Sequence, residues 1–327
     1  MTLQPVRLAM YCTGCIPGYQ LPCFAGLTRD VFARNGLSVT MLDPLPGPEN
    51  VRAVARGDRD FCLTSVAHFL AAKREDPELG ARFVFMVARQ THMAAFVVRD
   101  RLAAHGRPIA THADLGGASL LGDPAAPFAR EYLALLARLD LRPGPAVEMP
   151  YPGIEAALAE GRGDVAADFV DLHPRFQAAA DRLGVTIDCL PFHEAGIDIY
   201  GSGLVTSTRL LHEAPDRVLR AVAAFRDALL LSRDDPELGL DALLSQIPTA
   251  DARLVIAGWK AGAPLIFDDE ESQLGAMSDA KWRRTIDFHA DAHGLPRELD
   301  PATMFSPAAM TPSATGHKAV GTGAPRG

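Results

Sequence analysis

No stretch of this chain runs to 18 consecutive apolar residues, so nothing in it reads as a membrane-spanning helix. Blocks of lysine and arginine are missing as well. With 32 basic against 40 acidic residues and a net charge of −8, the chain has no surplus of positive charge to hold a nucleic acid. A locally positive cleft stays open, because net charge does not fix the local field. Cysteine is scarce and odd in number, with five at Cys12, Cys15, Cys23, Cys62 and Cys189. That set does not resemble a disulfide framework and fits a reducing compartment. Met1–Tyr11 lacks a basic segment followed by a long apolar core, so it does not read as a signal peptide. The expectation is a cytoplasmic chain as written, or a periplasmic or extracellular one if a leader was removed. What is present is ordinary: 48% hydrophobic and 22% charged residues, in a length sufficient for two lobes of usual domain size.

A degenerate pattern occurs twice. Val51–Leu63 reads as a short helix, a glycine turn at Gly57-Asp58 and a buried strand. Gly153–Asp168 repeats that order, with the turn at Gly161-Arg162-Gly163-Asp164. Glycine takes the left-handed conformation that ends a helix, so the chain can pass directly into the next strand. Two similar units imply two similar α/β lobes with a cleft between them, where small molecules bind.

The remaining pattern fits α/β. Short apolar strands are expected at Val6–Tyr11, Leu37–Leu42, Arg82–Ala88, Phe96–Arg99, Ala118–Leu121, Val165–Phe169, Val185–Leu190 and Gly203–Thr206. Helical spacing marks Phe24–Asn35, Ser65–Lys73 and Pro124–Arg138. After Leu210 the pattern is mainly helical: Asp216–Ser232, Leu238–Ser245, Thr249–Gly258 and Asp279–His293. The last of these buries Trp282, Ile286 and His289 at helical spacing. Residues 311–327 are rich in Pro, Gly, Ser, Thr and Ala and are expected to be disordered.

The order of several stretches resembles the NMT1/THI5-like (SsuA/THI5-type) solute-binding proteins of the type II periplasmic-binding-protein fold. They are Ile16-Pro17 through Ala25-Gly26-Leu27 and Phe32–Leu37, Ala55–Phe61 with Thr64-Ser65, and Phe96–Asp100 followed by Ala113–Gly117. The last is Trp282–Phe288 with His293-Gly294-Leu295. The resemblance implies two discontinuous lobes, 1–95 with 205–310 and 96–204, joined by crossover strands near Phe96–Arg99 and Ile199–Val205. It implies hinge closure around a small organic ligand, heteroaromatic or anionic, and a role as the ligand-capturing component of an ABC-type uptake system with a permease as partner. No cofactor, no metal and no nucleic acid are implied. The alternative is a cytoplasmic enzyme on the same fold, a lyase, decarboxylase, desulfinase or pyrimidine-synthase relative, using Cys15 with His68 and His92. Cys15 falls near the loop cysteine of a desulfinase of this fold, but the accompanying histidine and arginine motif is not matched, so that chemistry does not carry over. The dense cysteine run of the pyrimidine synthases is not matched either.

In open α/β lobes, ligands sit beyond the carboxyl ends of the strands. That rule selects Tyr11 and Cys15 in the loop after the first strand. Cys12-X-X-Cys15 has no second such pair after it, so a structural zinc is not expected there. The rule next selects Thr64 and Ser65, which cap a helix and offer hydroxyls, and His68 one turn inward, a cleft imidazole or a core histidine. His92, at the first crossover, is the leading polar candidate, against a plain hinge histidine. Asp123 precedes a helix whose amides suit an anion, although it can cap them itself. Asp168, Asp171 and His173 follow the second repeat strand, where Asp171 can also be a simple cap. Tyr200, beside Gly201 at the second crossover, can stack on a ring. His92 and Asp171 are expected to face each other from opposite lobes. This set suits a planar, partly polar ligand better than a bare sulfonate.

Overall fold

The structure is a computed structural model that describes residues 2–10, 17–267 and 274–307. The chain opens with strand β1 (Gln4–Ala9), helices α1 (Leu21–Thr28) and α2 (Val31–Arg34), and strand β2 (Leu37–Leu42). It continues with α3 (Glu49–Arg56), β3 (Phe61–Ser65), α4 (Val66–Glu75) and β4 (Ala81–Ala88). It then leaves this layer for β5 (Met93–Val98), β6 (Leu120–Leu121), α5 (Pro127–Arg138), β7 (Ala146–Val147), α6 (Ile154–Glu160), β8 (Val165–Phe169), α7 (His173–Asp181) and β9 (Ile187–Pro191). It returns as β10 (Ser202–Ser207) and finishes with α8 (Thr208–Glu213), α9 (Pro215–Asp234), α10 (Leu240–Gln246), α11 (Ala252–Gly262) and α12 (Asp279–His293).

Two five-stranded sheets result, in the orders β2-β1-β3-β10-β4 and β7-β6-β8-β5-β9. Each is parallel on one side of its central strand and antiparallel on the other: β10 runs against β3 and β4, and β5 against β8 and β9. The central strands, β3 and β8, are those that end the two copies of the repeat. All five residues of β3 are buried, the continuous burial expected of a strand covered on both faces.

The two copies share their turn chemistry. Gly57 and Gly161 both end a helix at positive φ, 84° and 77°. In the first copy the Gly57 amide donates to the Val54 carbonyl (3.0 Å) and the Asp58 amide to that of Ala53 (2.9 Å). In the second, Gly161 donates to Leu158 (3.0 Å) and Arg162 to Ala157 (2.9 Å). This is the paired closure of a Schellman motif. Three residues later an aspartate ties the central strand to its parallel neighbour. Asp60 Oδ2 accepts from the Arg7 amide at 2.7 Å, and Asp164 Oδ2 accepts from the Ser119 amide at 2.8 Å.

The expected helix Phe24–Asn35 is two short helices instead. Asp30 takes a left-handed φ of 53° between α1 and α2, which breaks the ladder. The second sheet begins earlier than the apolar run suggested, because β5 starts at Met93. The edge of β4 is covered by the returning C-terminal chain: the Phe83 amide donates to Met304 and the Met86 amide to Gly275. Helix α12 is anchored on the first sheet by Trp282, which is fully buried against the rings of Phe69, Phe83 and Tyr200. Its other flank packs on α5. No helix among the described residues is long and apolar enough to cross a membrane.

Candidate functional site

The two connections between the sheets pass side by side and leave a small cavity against the start of α4 and the flank of α5. Ser65 is the N-cap of α4. Its Oγ accepts from the His68 amide at 3.2 Å, which orients the first turn so that Ala67 and His68 reach the cavity. The first connection contributes Thr91, His92 and Met93, and the second contributes Tyr200 and Gly201. Gly201 is needed where it stands. A β-carbon there would lie 2.6 Å from both the Gln90 carbonyl oxygen and His92 Nδ1. Phe169 closes the wall at the end of β8, with Phe128 and Glu131 from α5 and His289 from α12 beside it.

Rings dominate the second-sheet side. His92 meets Phe169 edge-on at 4.1 Å between centroids, and Phe169 meets Phe128 at 4.9 Å. The imidazoles are neutral because burial disfavours their charged form. His92 and His289 are each pushed down to about 4, and His68 is lowered by the same cause. Glu131 is the buried charge of the site. Burial would raise its carboxyl, but the hydrogen bond from His293 Nε2 (3.3 Å) helps hold it below the ordinary carboxylate range. The cavity thus offers neutral imidazoles that can donate or accept, one buried carboxylate that accepts, and aromatic faces. No lysine or arginine lines it among the described residues.

The sequence-selected residues divide into three groups. Ser65, His68, His92 and Tyr200 converge on this cavity. Tyr200 is held by its own hydroxyl, which accepts from the Ser278 amide at 2.8 Å. A second group lies elsewhere. Thr64 is buried within β3, paired with Gly203 of β10. Asp123 is exposed and stabilises its own turn by accepting from the Ala125 amide at 2.8 Å. His173 bonds the Ile187 carbonyl at 2.9 Å and stacks on Phe96, both within the second sheet's core. Asp168 and Asp171 form a separate buried pair outside the cavity wall. The Tyr151 hydroxyl donates to Asp168 Oδ2 at 2.7 Å, and Asp171 sits where α11 packs over the end of β8. Burial raises both carboxyls, to about 7 for Asp168 and about 8 for Asp171, the latter raised further by Asp168. Arg175, the guanidinium nearest this pair in sequence, is engaged with Glu155 at 2.5 Å. The third group, Tyr11 and Cys15 together with Cys12, lies outside the described residues. The described cysteines offer no nucleophile: burial pushes the thiols of Cys23, Cys62 and Cys189 up to about 12.

Glu131 and Phe128 escaped the sequence reading. The signal for Glu131 was available, since it stands four residues before Leu135 and so puts a charge on the buried stripe of an amphipathic helix. His289 is buried, as its helical spacing predicts, and also reaches the cavity.

Proteins of known structure share this architecture. The periplasmic aliphatic sulphonate binding protein SsuA of Escherichia coli superimposes with a TM-score of 0.68 at 14% identity, covering 99% of this chain and 98% of that one. The alkanesulfonate-binding SsuA of Xanthomonas axonopodis pv. citri, bound to MOPS, gives 0.61 at 16%, covering 93% and 99%. An ABC transporter protein from Parabacteroides distasonis gives 0.58 at 9%, covering 94% and 99%. These likenesses establish the solute-binding fold. No curated protein matches the sequence. The NMT1/THI5-like family model matches residues 19–238, two thirds of the chain, and the protein belongs to that family.

Proposed function

We propose that this protein is the ligand-capturing component of an ABC-type uptake system, that a permease is its partner, and that it binds its solute in the cavity between the two sheets. The lobes would be 1–95 with 205–310 and 96–204, closing about the two connections. The solute we infer is a small planar heteroaromatic compound, neutral or cationic, carrying ring N–H or amino donors. The observation that carries this reading is the buried Glu131 carboxylate among neutral imidazoles and the rings of Phe128, Phe169 and Tyr200. A buried carboxylate repels a sulfonate and accepts hydrogen bonds from a donor-bearing ring. Sulfonate binding by the structural neighbours does not transfer at their level of identity, and the carboxylate argues against it.

The test is calorimetry of the purified protein against a panel of amino-substituted pyrimidines and purines beside alkanesulfonates and taurine. Tight binding of a heteroaromatic, weakened roughly ten- to hundredfold by Glu131→Gln, is the expected result, since a hydrogen bond to a charged group contributes about 1.5–3 kcal/mol. Binding of a sulfonate that Glu131→Gln strengthens would overturn the ligand assignment.

A further inference from the structure

We propose that Glu131, His289 and His293 form a binding site for a divalent metal ion, best suited to zinc, at the seam where α5 meets α12. The two histidines are four residues apart and therefore share one face of α12. Their rings lie nearly parallel, 14° apart with centroids 5.5 Å from each other. One ligand atom from each of the three residues falls within 4.8 Å of the others. Glu131 Oε1 is 3.3 Å from His293 Nε2 and 4.0 Å from His289 Nδ1. Zinc bonds of about 2.0–2.2 Å to nitrogen and oxygen place neighbouring ligand atoms of a tetrahedron about 3.3 Å apart. The first separation already has that value, and the second exceeds it by about 0.7 Å (4.0 Å against 3.3 Å).

A second observation points to the same place. His289 is 2% exposed, and its Nδ1 is buried without a hydrogen-bond partner, directed toward the carboxylate. Glu131 is 5% exposed, and its ion-pair partners among the described residues are these two imidazoles and no lysine or arginine. A buried carboxylate beside an orphaned imidazole nitrogen is costly when unfilled, and an ion satisfies both at once.

Position gives the site a consequence. Helix α5 lies on the second sheet, and α12 is fixed to the first by Trp282. An ion held by both helices ties the two halves together. Three protein ligands leave a fourth position, on the side where Glu131 and His289 border the cavity. Cysteine spacing gave no sign of this site in the sequence, because its donors are a His-x-x-x-His pair and a glutamate some 160 residues earlier. Zinc and a donor-bearing solute would compete for the Glu131 carboxylate, so the zinc site is assigned to the chain without its solute.

The experiment uses the full chain, stripped with EDTA and titrated with zinc sulfate in the absence of any organic solute. Calorimetry should show one zinc per chain, and the thermal midpoint should rise with zinc. Cobalt(II) should give the visible absorption of a low-coordinate nitrogen–oxygen site. His293→Ala and Glu131→Gln should each weaken zinc binding at least tenfold and reduce the cobalt spectrum. His293 is only partly buried, so its variant keeps the test valid if His289→Ala fails to fold. Circular dichroism of the His293→Ala protein checks that the fold is retained. A wild-type chain that takes up no zinc, whose cluster therefore holds only a proton, would overturn the proposal. So would His293→Ala and Glu131→Gln proteins that bind zinc as wild type does.

Discussion

Around the interlobe cavity the buried titratable groups are imidazoles, whereas at the end of β8, under α11, they are carboxyls. Burial acts on both sets and disfavours the charged form in each. It therefore drives them in opposite directions: His92 and His289 down to about 4, Asp168 and Asp171 up to about 7 and 8. One physical cause leaves both regions largely uncharged near pH 6. The regions differ in what remains. The imidazole side retains one ionised group, Glu131, bordering the cavity, whereas on the carboxyl side the Tyr151 hydroxyl donates to Asp168. A site that keeps a buried carboxylate beside a cavity is equipped to take a ligand, and a neutral buried pair is equipped to pack a lobe.

The two regions also bend stability with pH in opposite senses. Acids raised in the folded state bind more protons than the unfolded chain between about pH 4 and pH 8, so their effect is to lower stability as pH rises across that window. Histidines depressed in the folded state bind fewer protons than the unfolded chain between about pH 6.5 and pH 4, so stability is lost as pH falls through that range.

The largest expected effect comes from cutting the anchor of the imidazole side alone. Trp282→Ala should cost about 3–5 kcal/mol in urea denaturation and abolish ligand binding, while leaving the alkaline loss of stability in place. If that loss vanished too, the two regions would not be independent. Next, Asp171→Asn should make the protein more stable than wild type at pH 8, by about 2–3 kcal/mol, with little difference at pH 4. Denaturant midpoints across that range decide it, and an equal effect at both pH values would mean the Asp171 carboxyl is not raised. On the imidazole side, His92→Gln should shrink the difference in stability between pH 7 and pH 5 by about 1–2 kcal/mol. An unchanged difference would show that His92 does not stay neutral in the folded chain. The smallest effect is Tyr151→Phe, about 1 kcal/mol, from the lost hydrogen bond to Asp168. Thermal melts should register it without any change in ligand affinity, since Tyr151 does not border the cavity.

Much of the fold was readable because its devices are local. The glycines that end α3 and α6, and the strands that follow them, depend on a few adjacent residues, and β8 and α12 fall at the ends their patterns indicated. The break between α1 and α2 was hidden, because nothing in the pattern around Asp30 marks a left-handed residue. The site was less readable. His68, His92 and Tyr200 were found by a positional rule about strand ends, and they do converge. The same rule also chose His173 and Asp123, which satisfy local backbone groups, because sequence does not say which way a side chain turns. Glu131 and His289 come from helices separated by some 150 residues, and only the packing of α12 on α5 brings them together.

The most direct test of the proposed binding site is native mass spectrometry of the protein purified without added solute, repeated on Phe169→Ala and Glu131→Gln. The account predicts one small heteroaromatic molecule, neutral or cationic, on the wild-type chain, and loss of it from both variants. A sulfonate or other anion on the wild-type chain, or the same molecule retained by both variants, would contradict it.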